Sequence, residues 1–417
     1  MGKSMKNENE AIIRDEELRW LLNAIQEVAK TGIRPDGLYW RASYTPEDAA
    51  AVALLKSYME QAGMRVFFDA VGNLHGVLQG KSEQVIMAGS HRDTVRSGGK
   101  YDGMLGILSA ICSAGRLYQR LGQPEKTLEV VAIVEEESSR FIASNYIGSC
   151  NLAGTMPPSA FAITDADGIS IQDAAVSAGY QGMPPDRARE DIQHFVELHI
   201  EQGGVLEAEK KQIGIVTSIV GQWGGSVVLR GKQNHAGTTP MKLRQDPVPV
   251  MASFIHDMFS RVKPYEDEMV LTVGKIELLP GSVNVIPDRA SFTFDIRSAS
   301  QELGSRAMCM LEELRDKYSK KIEIEIIPAW EDAPVLLDST GVRDIEELCR
   351  KLGLSYRIMT SGAGHDSQNM AQVYPTNVIF VPSEDGVSHD EREFTKPEDL
   401  QAGLTILSAY LKKLCWE

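Results

Sequence analysis

Leu128-Glu129-Val130-Val131-Ala132-Ile133-Val134 decides the fold. The run is apolar but for Glu129, the mark of a strand buried on both faces, and it ends on three carboxylates, Glu135-Glu136-Glu137. On its N-terminal side, Met104–Leu117 has helical spacing. Before that come short strand-like segments at Arg65–Phe68, Asn73–Leu78 and Val85–Met87. Thr45-Pro46-Glu47-Asp48 reads as an N-cap with Pro in the first turn, opening a helix through Leu54, Leu55, Tyr58 and Met59. Asp15–Thr31 reads as a further helix. Strands alternating with helices predict an α/β layer fold.

The texture changes near residue 214. Gly214–Gly231 has two strand-like halves, followed by a helix (Pro247–Val262), strands (Met269–Ile276 and Ala290–Ile296), a helix (Gln301–Tyr318) and a strand (Ile322–Ile327). This β-α-β-β-α-β order is that of a ferredoxin-like unit. The α/β texture then resumes with a helix at Val342–Leu352, a buried strand at Asn377–Val381 and a closing helix at Pro397–Leu414. The expected organisation is one α/β domain, residues 1–213 and 331–417, interrupted by an inserted α+β domain, residues 214–330.

Bulk properties bound the function. A chain of 417 residues fits about two domains. Hydrophobic residues make up 43% and charged residues 24%, as in a soluble globular enzyme. No apolar run reaches the roughly 20 residues of a membrane span. Met1–Glu10 is polar and lacks the apolar stretch of a signal peptide, so a cytoplasmic location without membrane partners is expected. A net charge of −15 argues against nucleic-acid binding. Cys112, Cys150, Cys309, Cys349 and Cys415 form no paired motif and read as free thiols of a reducing compartment.

Acid and imidazole clusters fall at strand ends and in Gly-rich loops, where open α/β sheets place their sites. His91 and Asp93 follow the Val85–Met87 strand, and Asp102 follows Gly98-Gly99 at the start of a helix, where the dipole favours an anion. His91 and Asp93 alternate along the chain, yet a turn lets Asp93 reach the far ring nitrogen of His91, a common partner of a metal-bound imidazole. Glu135-Glu136-Glu137 either face water or surround something positive. His199 ends a short apolar strand, where a satisfied core histidine is the plain alternative to a ligand. Asn234-His235-Ala236-Gly237-Thr238, Ser361-Gly362-Ala363-Gly364-His365-Asp366 and Gly386-Val387-Ser388-His389 are loops of small residues carrying a His.

Together these stretches are specific. GSHRDTVRSGGKYDG (Gly89–Gly103), EEESSRF (Glu135–Phe141), ELHIEQG (Glu197–Gly203), NHAGTTPM (Asn234–Met241), VNVIPD (Val283–Asp288), DIR (Asp295–Arg297), SGAGHDS (Ser361–Ser367) and DGVSH (Asp385–His389) stand in one order across nearly the whole chain. In them the sequence resembles the allantoate amidohydrolase and N-carbamoyl-L-amino-acid amidohydrolase group, relatives of metal-dependent carboxypeptidases and aminoacylases. The resemblance implies an α/β di-metal hydrolase domain with an inserted ferredoxin-like lid and dimerisation domain. It implies two divalent ions per subunit, manganese or zinc, with cobalt or nickel also compatible with a His and carboxylate set lacking thiolate. Asp102 would bridge them, with His91 and His199 completing one ion's ligands and Glu137 and His389 the other's. Glu136 resembles the general base, Asp93 the residue that orients His91, and His235 a group that reaches across a homodimer to the neighbour's tetrahedral intermediate. Asn284, Arg297, Gln202 and the Gly362-Ala363-Gly364 loop resemble substrate ligands. Arg297 offers a fork suited to a carboxylate. Many relatives carry a small apolar residue in place of Arg92 and Gly in place of Ser138.

The resemblance implies hydrolysis of a ureido C–N bond in a small molecule. Thr238, LTVGKIE (Leu271–Glu277) and YRIMTSGAGHDSQ (Tyr356–Gln368) resemble the allantoate branch, whose products are ureidoglycine, ammonia and carbon dioxide. An N-carbamoyl-L-amino-acid hydrolase is the alternative. A peptidase or aminoacylase of the same fold and a catalytically silent metal-binding homologue stand further off.

Overall fold

The computed structural model describes residues 15–34, 36–142, 146–182 and 188–417, so the opening Met1–Glu10 lies outside the described residues. The chain divides into two compact units, one of Met1–Thr217 with Leu336–Glu417 and one of Ser218–Val335.

In the first unit the decisive run lies in strand β4 (Lys126–Ile133), beside β1 (Arg65–Phe68), β2 (Leu74–Leu78), β3 (Ser82–His91), β5 (Ile192–Ile200), β6 (Ile213–Ile219), β7 (Tyr356–Ser361) and β8 (Thr376–Val381). The order across the sheet is β1-β2-β4-β3-β5-β8-β6, with β7 also on β6. β4, β3, β5 and β8 run parallel, while β1, β2 and β6 join antiparallel. Leu128, Val130 and Ala132 pack on one face with Leu105, Leu108, Leu404 and Leu407 of the helices Met104–Leu121 and Pro397–Trp416. Val131 and Ile133 pack on the other with Phe195 and Met370. Both faces are dry, which is why the run shows no polar alternation. Each fully buried aliphatic side chain here contributes about 1.5–3 kcal/mol. Helix Pro46–Gln61 opens as the sequence predicts, with Thr45 Oγ1 accepting the Asp48 N–H at 3.3 Å and Pro46 in the first turn. β3 is longer than Val85–Met87 because its register with β4 runs on to His91 opposite Ile133.

In the second unit, Gly221–Arg230, Pro247–Val262, Met269–Thr272 with Ile276–Leu279, Arg289–Ser298, Gln301–Tyr318 and Glu323–Asp332 realise the β-α-β-β-α-β order. The sheet is antiparallel, in the order Ile276–Leu279, Arg289–Ser298, Gly221–Arg230, Glu323–Asp332. One face carries the core of Trp223, Phe254, Phe292, Phe294 and Leu311. The strand expected at Met269–Ile276 is two short strands, both on Arg289–Ser298. The first half of Gly214–Gly231 pairs with β8 of the large sheet rather than within this unit, so the unit begins at Ser218 and not at 214. Among the described residues no helix is long and apolar enough to cross a membrane, and all five cysteines are free thiols.

Candidate metal centre

Parallel strands end on one side of the sheet, and the site residues collect there. His91 is the last residue of β3, Glu135–Glu137 follow β4, His199 closes β5 opposite Phe380 of β8, and His389 lies in the loop after β8. Asp102 stands at the start of helix Met104–Leu121, where the exposed N–H groups favour an anion. Gly103 makes this approach possible. Its φ is +62°, and a Cβ there would lie 2.3 Å from the His91 carbonyl oxygen.

One carboxylate organises the cluster. Asp102 Oδ1 lies 3.1 Å from both His91 Nε2 and His199 Nε2, while Oδ2 lies 3.4 Å from His389 Nε2. Glu137 Oε1 is 3.2 Å from the same His389 nitrogen. Gln202 Nε2 donates to Asp102 Oδ2 at 2.9 Å. His91, Asp102 and His199 thus form one group able to hold a cation, and Asp102, Glu137 and His389 a second, with Asp102 common to both. The tautomers fit cations. His91 Nδ1 faces the Asp93 carbonyl at 3.1 Å and His199 Nδ1 the Ile200 carbonyl at 2.9 Å. Both Nδ1 atoms therefore carry hydrogen, and the two Nε2 lone pairs converge 3.4 Å apart.

The electrostatics agree. Burial alone would raise Asp102, but its contacts with His199, His389 and His91, whose rings carry a second hydrogen when charged, outweigh it and hold the carboxyl well below the usual carboxylate range. The contacts with Asp102 and Glu137 raise His389, which is half-exposed, to about 10. Burial pushes Glu136 well above the ordinary range; the His91 charge opposes the shift, and the carboxylates of Glu137, Asp366 and Asp93 add to it.

The three consecutive carboxylates separate. Glu135, with φ +58°, turns inward and accepts from the Arg140 and Phe141 N–H groups and from Ser139 Oγ. Glu136 and Glu137 stay at the site, in a group with His91. Asp93 departs from its expected part. Its carboxylate is 3.8 Å from His91 Nδ1 and instead accepts the backbone N–H groups of Glu136 and Glu137, at 3.1 Å each. Only its carbonyl serves His91. Arg92 points away from the cluster, into a buried bidentate pair with Asp48 at 2.7 and 3.1 Å. Ser138 holds φ +48°, a conformation that favours the glycine many relatives carry there.

Gln202 contributes a second group. Its Oε1 is buried and lacks a hydrogen-bond partner among the described residues. The Gly362-Ala363-Gly364 loop is pinned by Ser361, whose Oγ donates to the Ala363 carbonyl and lies 3.0 Å from His365 Nε2. The His365 ring packs edge-on against that of His199, with centroids 4.7 Å apart.

His235, Asn284 and Arg297 belong to the second unit. His235 pairs with Val285 across a two-residue ladder, and the Ala236 N–H donates to the Asn284 carbonyl, so His235 and Asn284 lie side by side. His235 Nδ1 accepts from Gly237 N–H at 3.0 Å, which leaves the hydrogen of the neutral ring on Nε2. The Arg297 fork is held by Asp295 at 3.1 and 3.0 Å.

Two buried carboxylates had no role in the sequence reading. Glu197 accepts from Ser90 Oγ and Ser367 Oγ, both at 2.6 Å, and so joins β5 to the loops around it. Glu393 accepts from the backbone beside Asp102. Neither stands out by spacing alone.

The profile of peptidase family M20/M25/M40 matches residues 83–413. The chain is 40% identical to the allantoate amidohydrolase of Escherichia coli (strain K12), over 97% of this chain and 98% of that protein. It is 36% identical to the N-carbamoyl-L-amino acid amidohydrolase of Geobacillus stearothermophilus, over 93% of this chain and 96% of that protein. The solved structure of a hydantoinase/carbamoylase family amidase from Burkholderia multivorans superposes with a TM-score of 0.89 at 32% identity, over 96% of this chain and 98% of the other. Fold, motifs and these likenesses agree: the chain belongs to peptidase family M20/M25/M40, among its allantoate and N-carbamoyl-L-amino-acid amidohydrolases.

Proposed function

We propose that the protein is a metal-dependent amidohydrolase that cleaves a ureido C–N bond of allantoate, giving ureidoglycine, ammonia and carbon dioxide. The observation that carries this reading is the Asp102 carboxylate, one oxygen toward His91 and His199 and the other toward His389. His91, His199 and Asp102 would hold one divalent ion, and Glu137, His389 and Asp102 the second. When bound, the ions supply Lewis acidity that acidifies water and polarises a carbonyl. Manganese is the proposed metal; the nitrogen and oxygen donors suit zinc, cobalt and nickel as well.

The side chains do the rest. Glu136, kept in place by Asp93, takes the proton of the attacking water and delivers it to the leaving nitrogen. His235 Nε2–H donates to the developing oxyanion, and such a donor contributes about 3 kcal/mol. Arg297, oriented by Asp295, binds the substrate carboxylate, and Asn284 offers both donor and acceptor. Gln202 Oε1 accepts from a ureido N–H, and the Gly362–Gly364 loop completes the pocket. His235 serves the neighbouring subunit of a two-fold homodimer. Exposed apolar side chains of the second unit support an interface there: Ile276, Leu278 and Leu279 on an edge strand, and Val283 nearby. The higher identity to the allantoate relative than to the carbamoylase supports the substrate.

The test is ammonia release from allantoate by manganese-reconstituted protein, beside a Glu136→Gln control and with N-carbamoyl amino acids in parallel. Turnover of allantoate that is lost in the control is the expected result. Faster turnover of carbamoyl amino acids would move the substrate to the other branch. Silence on both with two ions bound would overturn the reading.

A further inference from the structure

Glu393 lies four residues beyond His389 and is 3% exposed. Its Oε1 accepts the backbone N–H groups of Tyr101 at 2.9 Å and Asp102 at 3.1 Å. Its Oε2 accepts from Ser388 Oγ at 3.0 Å. One carboxylate thus ties the segment carrying Asp102 to the segment carrying His389, although the two lie at opposite ends of the chain. Ser388 Oγ is also 3.2 Å from Asp102 Oδ2, and a hydroxyl has a single hydrogen to give. The bond to Glu393 therefore decides how much of Asp102 the serine occupies.

Gly99 shows that room is made for this contact. A Cβ on Gly99 would fall 2.0 Å from Glu393 Oε1 and 2.1 Å from its Cδ. The φ of Gly99 is not among the positive ones, so its backbone is not in the left-handed region that favours glycine, and the missing side chain is what the contact requires. The Gly98-Gly99 pair that precedes Asp102 thus makes the space into which a carboxylate from the far end of the chain fits.

We propose that Glu393 is a positioning residue of the metal centre. It fixes the Asp102 backbone and the Ser388-His389 turn relative to each other, and so sets the spacing of the group made by Asp102, Glu137 and His389. Gly99 is the position that admits it. This rests on the two-ion reading above.

The experiment compares wild type with Glu393→Ala, Glu393→Gln and Gly99→Ala, all as full chains. Three quantities are read: ion affinity by competition with a chromophoric chelator, the visible spectrum of the cobalt-substituted protein, and the melting temperature of the metal-free protein. Glu393→Ala should bind its weaker ion about 10- to 100-fold less tightly, with an altered cobalt spectrum, beside a lower metal-free melting temperature because the Tyr101 and Asp102 N–H groups lose their acceptor. Gly99→Ala should reproduce that pattern, because its methyl displaces the carboxylate. Glu393→Gln, which keeps an acceptor for both N–H groups, should fall between. Should Glu393→Ala fail to fold, the spectra of the other two variants decide. Wild-type affinity and spectrum in the variants would overturn the proposal, as would a lower metal-free melting temperature with ion binding intact. A wild type that binds no pair of ions would instead refute the two-ion reading.

Discussion

Asp93→Asn separates two uses of one buried side chain. Each Asp93 oxygen accepts one backbone N–H, from Glu136 and from Glu137, at 3.1 Å. Asn keeps the shape and one acceptor but turns an NH2 toward the other N–H. A hydrogen bond to a charged acceptor contributes about 1.5–3 kcal/mol, and one is lost. At about 1.4 kcal/mol per factor of ten, the fraction of molecules holding Glu136 in its working position falls roughly 10- to 100-fold. We therefore expect kcat on the ureido substrate to fall by that factor with KM little changed. Ion binding at His91 should persist, because His91 Nδ1 meets the Asp93 carbonyl, which Asn retains, and the carboxylate is 3.8 Å away. The assay is steady-state kinetics at measured ion content. A wild-type kcat would refute the reasoning. Loss of an ion with unchanged kcat per loaded site would show that the carboxylate serves His91 after all.

Asp48→Ala strands the buried Arg92 guanidinium and should cost about 3–5 kcal/mol in urea unfolding, with kcat intact at permissive temperature. A cost under about 1 kcal/mol would mean that the Gly72 and Ala132 carbonyls suffice for Arg92. His75 is fully buried; desolvation opposes its charge, but Asp69 and Glu129 raise it from 6.5 to about 9. A raised folded value means stabilisation complete below about pH 6.5 and lost as pH rises through about 9, worth about 3 kcal/mol at most. His75→Gln should flatten stability across that window, and an unchanged pH dependence would refute the assignment. Mixing His235→Ala with Glu136→Gln subunits should restore part of the activity through heterodimers, and no recovery after verified subunit exchange would count against action across the dimer.

The α/β fold and the family were legible because both leave local marks. β4 shows its two dry faces directly in sequence, since Val130 and Ala132 need one apolar layer and Val131 and Ile133 another. His91, Asp102, Glu137, His199 and His389 stand in recognisable motifs, and the structure brings them to one end of the sheet. What the sequence does not show is direction. Glu135, Glu136 and Glu137 read alike, and a positive φ at Glu135 sends it inward while its neighbours remain at the site. Asp93 carries the expected carboxylate, but the backbone turns it toward Glu136 and Glu137. Arg92 sits between two site residues, yet its side chain leaves on the opposite side to meet Asp48. Glu393 acts on backbone N–H groups far away in sequence, and no residue spacing records such a bond.

The order in which the proposed ligands occur along the chain bears on synthesis. His91, Asp102 and His199 are all made before the ribosome reaches the second unit, and β3 and β5 can already pair. β8, however, adds to β5 only after the whole second unit has been made, and His389 follows it. On the two-ion reading, the residues proposed for the first cation are therefore made well before His389, which the second requires. A chain interrupted between His199 and His389 would carry every residue proposed for one ion and lack the His389 proposed for the other.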